Sequence, residues 1–238
     1  MADTAAEIEA ELAAAATHER AERSRGYFKT GPGEYGEGDV FIGVSNPGMR
    51  EVAKRHREAS LAEVDRLLGS EVHEHRFTAL VILCLRYERA DAAGRAEIAE
   101  FFLARRAAAN NWDLIDISVP TLLSDRVRGG DRELLDELAG SESLWDRRIA
   151  VLATLPLVRD GEPAETLRLA ERLLGDEHDL IHKAVGWMLR EVGKRDEGAL
   201  RGFLDRHAAE MPRTMLRYSI ERLPAEDRSR YMAAKRAS

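Results

Sequence analysis

Four residues of this sequence are of types that do chemistry together: Trp112, Asp116, Arg148 and Trp187. A fixed carboxylate stabilises positive charge developing beside it. An indole face holds a cation, worth about 0.5 to 2 kcal/mol depending on dehydration, and a guanidinium grips phosphate through paired hydrogen bonds. Trp112 and Asp116 are four residues apart, hence on one face of a helix. A spacing of 36 residues sets Arg76, Trp112, Arg148 and Ala184 in register, and Trp187 follows Ala184 by three. The same register aligns Leu80, Asp116, Leu152 and Met188, in helices expected to begin near Val72, Ala108, Ser143 and His178. Neighbouring helices pack about 8 to 10 Å apart, so the four side chains are expected on one strip. A strip made only for packing would be aliphatic. Trp145, by contrast, reads as the usual wedge between helices.

The elements that must position these residues are helices. Ala, Leu, Glu and Arg dominate, alternating β-branched runs are nearly absent, and 44% hydrophobic residues suffice for a full core in 238 residues. A period near 36 with two helices per unit is the signature of stacked helical repeats, each pair burying its apolar face against its neighbours. The expected fold is therefore all-α: an α-solenoid of HEAT-like helical repeats forming a single domain over residues 1–238. A capping helix is expected over residues 3–24 and a Gly-rich loop over residues 30–45, where four glycines within residues 30–39 and Pro32 prevent regular helix. Asn46 and Pro47 supply a cap and a first-turn proline for a helix through Arg57, and Ser60 caps the next. Further breaks are expected at Gly94, Gly129-Gly130, Gly140-Ser141, Gly161, Gly175 and Pro212.

Composition excludes several classes. The single cysteine, Cys84, lies in an apolar run and reads as packed, which rules out an internal disulfide framework. Residues 1–25 contain no apolar run long enough for a signal peptide or membrane span, so a cytoplasmic protein is expected, with no membrane partner. His73-Glu74-His75 and the pair His178 and His182 lack a third ligand at metal-binding spacing and read as surface groups, so no metal or cofactor is expected. The Gly-rich loop lacks the Lys-Ser/Thr ending of a phosphate-binding loop, and Glu34 and Asp39 within it read as turn residues. A net charge of -7 is the wrong sign for a generic nucleic-acid binder. Its distribution qualifies that, because residues 180–238 hold thirteen Lys and Arg against eight Asp and Glu.

Three segments bring a known family into view. Asn111-Trp112-Asp113-Leu114-Ile115-Asp116, Leu144-Trp145-Asp146-Arg147-Arg148-Ile149-Ala150 and His182-Lys183-Ala184-Val185-Gly186-Trp187-Met188-Leu189-Arg190-Glu191 resemble motifs of the AlkD-type DNA alkylation-repair glycosylases, which are built from HEAT-like repeats. Arg25-Gly26-Tyr27-Phe28-Lys29 is similar to a fourth segment. The likeness spans roughly residues 20 to 223, with a longer Gly31–Asp39 loop as a departure.

The resemblance implies a concave DNA-binding face and a reaction. Asp116 would be the catalytic carboxylate, and Trp112 and Trp187 would contact the lesion. Tyr27, Arg147, Arg148, Lys183 and Arg190 would contact DNA, and Asp113 would serve only the start of its helix. An N3- or N7-alkylated purine is already cationic, so its glycosidic bond breaks without a strong general acid, and a carboxylate beside the sugar suits the oxocarbenium-like transition state. The expected partner is double-stranded DNA carrying alkylated purines, met by a monomeric chain that excises without flipping the base and accepts bulky adducts. The alternatives are a non-catalytic binder of damaged or branched DNA and a protein-binding solenoid.

Overall fold

A computed structural model of the protein describes residues 4–234, and within them every regular element is helical. The all-α expectation holds. A lone parallel bridge between Val40 and Val72 is the only extended pairing among the described residues. The chain divides after Leu122 into two compact units.

The first unit comprises α1 (Thr4–Ala15), α2 (His18–Tyr27), α3 (Asn46–Arg55), α4 (Leu61–Leu68), α5 (His73–Arg89), α6 (Ala92–Ala104) and α7 (Trp112–Leu122), with a short 3-10 turn at Arg106–Ala108. Its centre is α5, which packs against α3, α4, α6 and α7. From Phe77 to Cys84 every residue of α5 is buried, as expected of a helix that is apolar all round. Phe77, Leu80, Ile82 and Leu83 are wholly enclosed, and each contributes about 1.5 to 3 kcal/mol of transfer free energy. Cys84 is packed as expected. Its Sγ lies 3.7 Å from the Ile117 carbonyl, and burial pushes the thiol pKa up to about 12, which leaves it unreactive.

Several local expectations are corrected. The single N-terminal helix is two helices, because Thr17 is extended and its N–H bonds to the Gly43 carbonyl at 3.2 Å. That crossing demands glycine at 43. Its φ is +85°, and a Cβ there would lie 2.1 Å from the Thr17 carbonyl oxygen. The cap of α3 is Ser45, not Asn46: its hydroxyl accepts the Gly48 N–H at 3.2 Å, and the helix ends at Arg55 rather than Arg57. Gly94 lies within α6, where its N–H donates to the capping Asp91 Oδ1 at 2.9 Å. Ser60 caps α4 as expected, in a full capping box with Glu63.

The second unit comprises α8 (Ser124–Arg128), α9 (Arg132–Ala139), α10 (Leu144–Ala153), α11 (Leu155–Asp160), α12 (Ala164–Arg172), α13 (Asp179–Arg195), α14 (Glu197–His207), α15 (Arg213–Ser219) and α16 (Ala225–Met232). Here α13 is central, packing on α10, α11, α12, α14 and α15. Gly186 permits a close approach of α15, since a Cβ would stand 2.6 Å from both the Met215 carbonyl oxygen and the Tyr218 Cβ. His178 is the N-cap of α13, its Nδ1 accepting the Leu180 N–H at 3.1 Å. Among the described residues no helix is long and apolar enough to cross a membrane.

The strict 36-residue register does not survive. The four aligned helices begin at residues 73, 112, 144 and 179, so their spacings are unequal. Asp116 is half-exposed, whereas Leu80, Leu152 and Met188, its supposed equivalents, are buried. Loops of different length absorb the difference, and the helices keep their faces by burial rather than by count.

Candidate active site and nucleic-acid interface

The sequence-predicted residues divide between the two units. In the first, Tyr27, Trp112 and Asp116 belong together. Trp112 opens α7, and its indole is held on one side by a cluster of three rings, in which the His73 imidazole also lies 5.1 Å from Phe28. Phe28 stacks on it at 5.4 Å, Phe41 on Phe28 at 5.0 Å, and the His73 imidazole on Phe41 at 4.5 Å. Tyr27 meets Trp112 edge-on at 5.8 Å and is 63% exposed, while Trp112 itself is half-buried. Asp116 follows one turn later on the same half-exposed side of α7, and Pro120 one turn after that.

Beneath this face lies a charged network that sequence reasoning missed. His73 is 1% exposed, its Nδ1 3.0 Å from Asp39 Oδ2 and its Nε2 2.9 Å from Asp113 Oδ2. Both ring nitrogens therefore face carboxylates, and only the imidazolium can donate to both. Burial opposes that charge, but the hydrogen bonds and charges of Asp113 and Asp39 outweigh it and raise the His73 pKa to about 9. Arg76 Nη2 completes the network on Asp39 Oδ1 and also reaches Asn110 Oδ1 at 3.1 Å. The buried Asn111 links Asp39 to α7, donating to Asp39 Oδ2 at 3.2 Å and accepting the Trp112 N–H at 2.9 Å.

Two expectations change here. His73, expected as a surface histidine, is an interior group, and so is Glu74 beside it. Glu74 is 2% exposed and accepts the N–H groups of Ile42, Gly43 and Val44 at 3.1, 2.7 and 3.3 Å. Asp39 is no turn residue but the buried hub between loop, α5 and α7. Burial pulls its pKa up, yet His73 and Arg76 prevail and hold it below the usual carboxylate range. Glu34 does serve the turn, accepting the Gly31 N–H at 2.9 Å. A signal existed in the apolar, non-helical run from Phe41 to Val44, which needed a buried acceptor for its N–H groups.

In the second unit α13 carries Lys183, Trp187 and Arg190 on one half-exposed face. The Trp187 indole N–H donates to Glu191 Oε1 at 2.9 Å, which fixes the ring's orientation. Lys183 pairs with Asp179 at 2.7 Å and Arg190 with Glu221. On α10, Arg147 is bound to Asp176 at 2.6 Å and to the carbonyls of Ser141 and Glu142. Arg148 is withdrawn from this surface. It is 5% exposed, and its Nη1 donates to the Leu180 carbonyl at 2.8 Å, tying α10 to α13.

In the first unit a half-exposed indole with a carboxylate one turn away suits a cationic ring; in the second an indole flanked by cations suits a polyanion. Comparison with known proteins bears on what that polyanion is. The family model described as DNA alkylation repair enzyme matches residues 8–223. The chain belongs to this family. Its role is in DNA alkylation repair, and DNA is its partner. The fold is similar to that of a predicted DNA alkylation repair enzyme from Enterococcus faecalis, with a TM-score of 0.68 and 17% identity over 88% of this chain and 97% of that one. Among functionally curated proteins none matches the chain by sequence.

Proposed function

We propose that this protein is a DNA glycosylase that hydrolyses the N-glycosidic bond of cationic N3- and N7-alkylated purines. The observation that carries the reading is the pairing, in a member of this family, of Trp112 with Asp116 on one half-exposed face of α7. In this reading Asp116 stabilises the oxocarbenium-like sugar and orients the attacking water, Trp112 lays its indole face against the cationic base, and Trp187, in the second unit, supplies a further aromatic contact to DNA. Tyr27, Lys183 and Arg190 lie on exposed or half-exposed faces and suit phosphate contacts. Arg147 and Arg148 support the α10–α13 junction from behind and act on DNA through it. Excision proceeds without base flipping, because the acid and the indole sit on an open helix face, and bulky adducts are accepted for the same reason.

The test is the release of 7-methylguanine and 3-methyladenine from alkylated DNA by the wild type and by Asp116→Asn. Removing one group that stabilises transition-state charge costs about 10²- to 10³-fold in rate. A loss of that size supports the assignment. Equal release by both proteins would remove Asp116 from the mechanism, and DNA binding without any release would make the protein a damage binder.

A further inference from the structure

His73 is a buried ionisable group to which the reaction above gives no part. The groups facing it come from three elements. Asp39 approaches from the Gly-rich loop, Asp113 from the first turn of α7, and Arg76, Glu74 and His75 share α5 with it. Of these neighbours on α5, Glu74 is committed to the N–H groups of residues 42–44 and His75 Nδ1 to the Ser70 hydroxyl at 2.9 Å. Two carboxylates and two cations thus form the enclosed set, Asp39 and Asp113 against His73 and Arg76, and the set is neutral only while His73 is charged. Its weakest member is Asp113, whose Oδ1 is buried without a hydrogen-bond partner. Its other oxygen depends on His73.

We propose that His73 is a positioning residue for excision: as an imidazolium held between Asp39 and Asp113 it locks the first turn of α7 and so sets where Trp112 and Asp116 stand. Neutral His73 donates to only one carboxylate. With the proton on Nε2 the bare Nδ1 lone pair faces Asp39 Oδ2, and with the proton on Nδ1 Asp113 loses its only donor; in either tautomer one of the two links that tie the loop, α5 and the first turn of α7 together is broken. The imidazole also lies 5.1 Å from Phe28, which stacks on the Trp112 indole, so both the backbone and the side chain of Trp112 answer to one group.

The proposal rests on the glycosylase reading for its catalytic consequence but not for its structural one, and the experiment separates them. The nitrogen shifts of the His73 ring and the indole N–H of Trp112 are followed by NMR in the wild type from about pH 6 to about pH 10, across the span of the raised value. The expected result is a cationic ring at neutral pH and an indole signal that moves with the His73 titration. A neutral ring at neutral pH, or an indole indifferent to the titration, overturns the proposal. In parallel, single-turnover release of 7-methylguanine is compared with that of His73→Gln. A displaced catalytic group costs on the order of 10²-fold, so a loss of about 10- to 100-fold is expected with DNA affinity unchanged. Equal release refutes positioning while the glycosylase reading stands. If the wild type releases no base, that reading fails and the NMR titration alone decides. If the Gln variant does not fold, the wild-type titration again decides.

Discussion

Arg148 and Lys183 carry the same charge and sit on adjoining helices, yet the structure assigns them opposite work. Arg148 is enclosed and holds the Leu180 carbonyl, whereas Lys183 is 40% exposed and paired with Asp179 on its own helix. Replacing a buried, hydrogen-bonded cation strands its partners, so Arg148→Ala is expected to lower stability by about 3 kcal/mol, read as a fall in the urea midpoint. Lys183→Ala is expected to leave stability within about 0.5 kcal/mol, since exposed ion pairs contribute little. Its effect appears in DNA binding, where the loss of one phosphate contact reduces the salt slope by about 1. A Lys183 variant with an unchanged slope would take that residue off the DNA surface.

At the scale of elements, two glycines set how closely helices meet. Gly186 lets α15 lie against α13 directly before Trp187, and Gly43 lets residues 41–44 pass under the start of α2. Gly43→Ala combines a positive φ with a backbone clash and is expected to cost more than about 1 kcal/mol, measured by thermal melting. Ser60→Ala removes the cap of α4 and is expected to cost about 1 kcal/mol. These elements differ in how legible they were. Ser60 and Glu63 announce a cap because the whole motif lies within four residues, and the apolar run in α5 announces a buried helix. The break at Thr17 was hidden because its cause, the Gly43 carbonyl, is 26 residues away. The site shows the same contrast. Trp112 and Asp116 share a face by local periodicity, which can be read directly. Asp39, His73 and Asp113 meet through separations of 34 and 40 residues, and no local pattern encodes that meeting. The fixed 36-residue period failed for a related reason, since loop length is free to vary wherever burial keeps the helix face.

For the whole molecule the buried network sets a pH window. The folded pKa of His73, about 9, exceeds its ordinary value of 6.5. Its contribution is therefore complete below about pH 6.5 and lost as pH rises through about 9, amounting to at most about 3 kcal/mol. Asp39 has the opposite sign, with a depressed value that contributes above its ordinary 3.8 and is lost on acidification. Urea midpoints are thus expected to form a plateau in mildly acid solution and to decline toward alkaline pH. His73→Gln should abolish the alkaline decline, and a decline that persists in that variant would place its origin elsewhere.

The ring cluster behind Trp112 has a further consequence for any ligand that stacks there. An unsupported tryptophan must be immobilised when a base settles on it, at a cost of about 0.5 to 1.5 kcal/mol for an ordered side chain. Phe28 and Tyr27 already restrict this indole from one side and one edge, so that entropy is surrendered during folding and not at each encounter. The outer face becomes a standing platform that a ligand meets without first having to organise the protein.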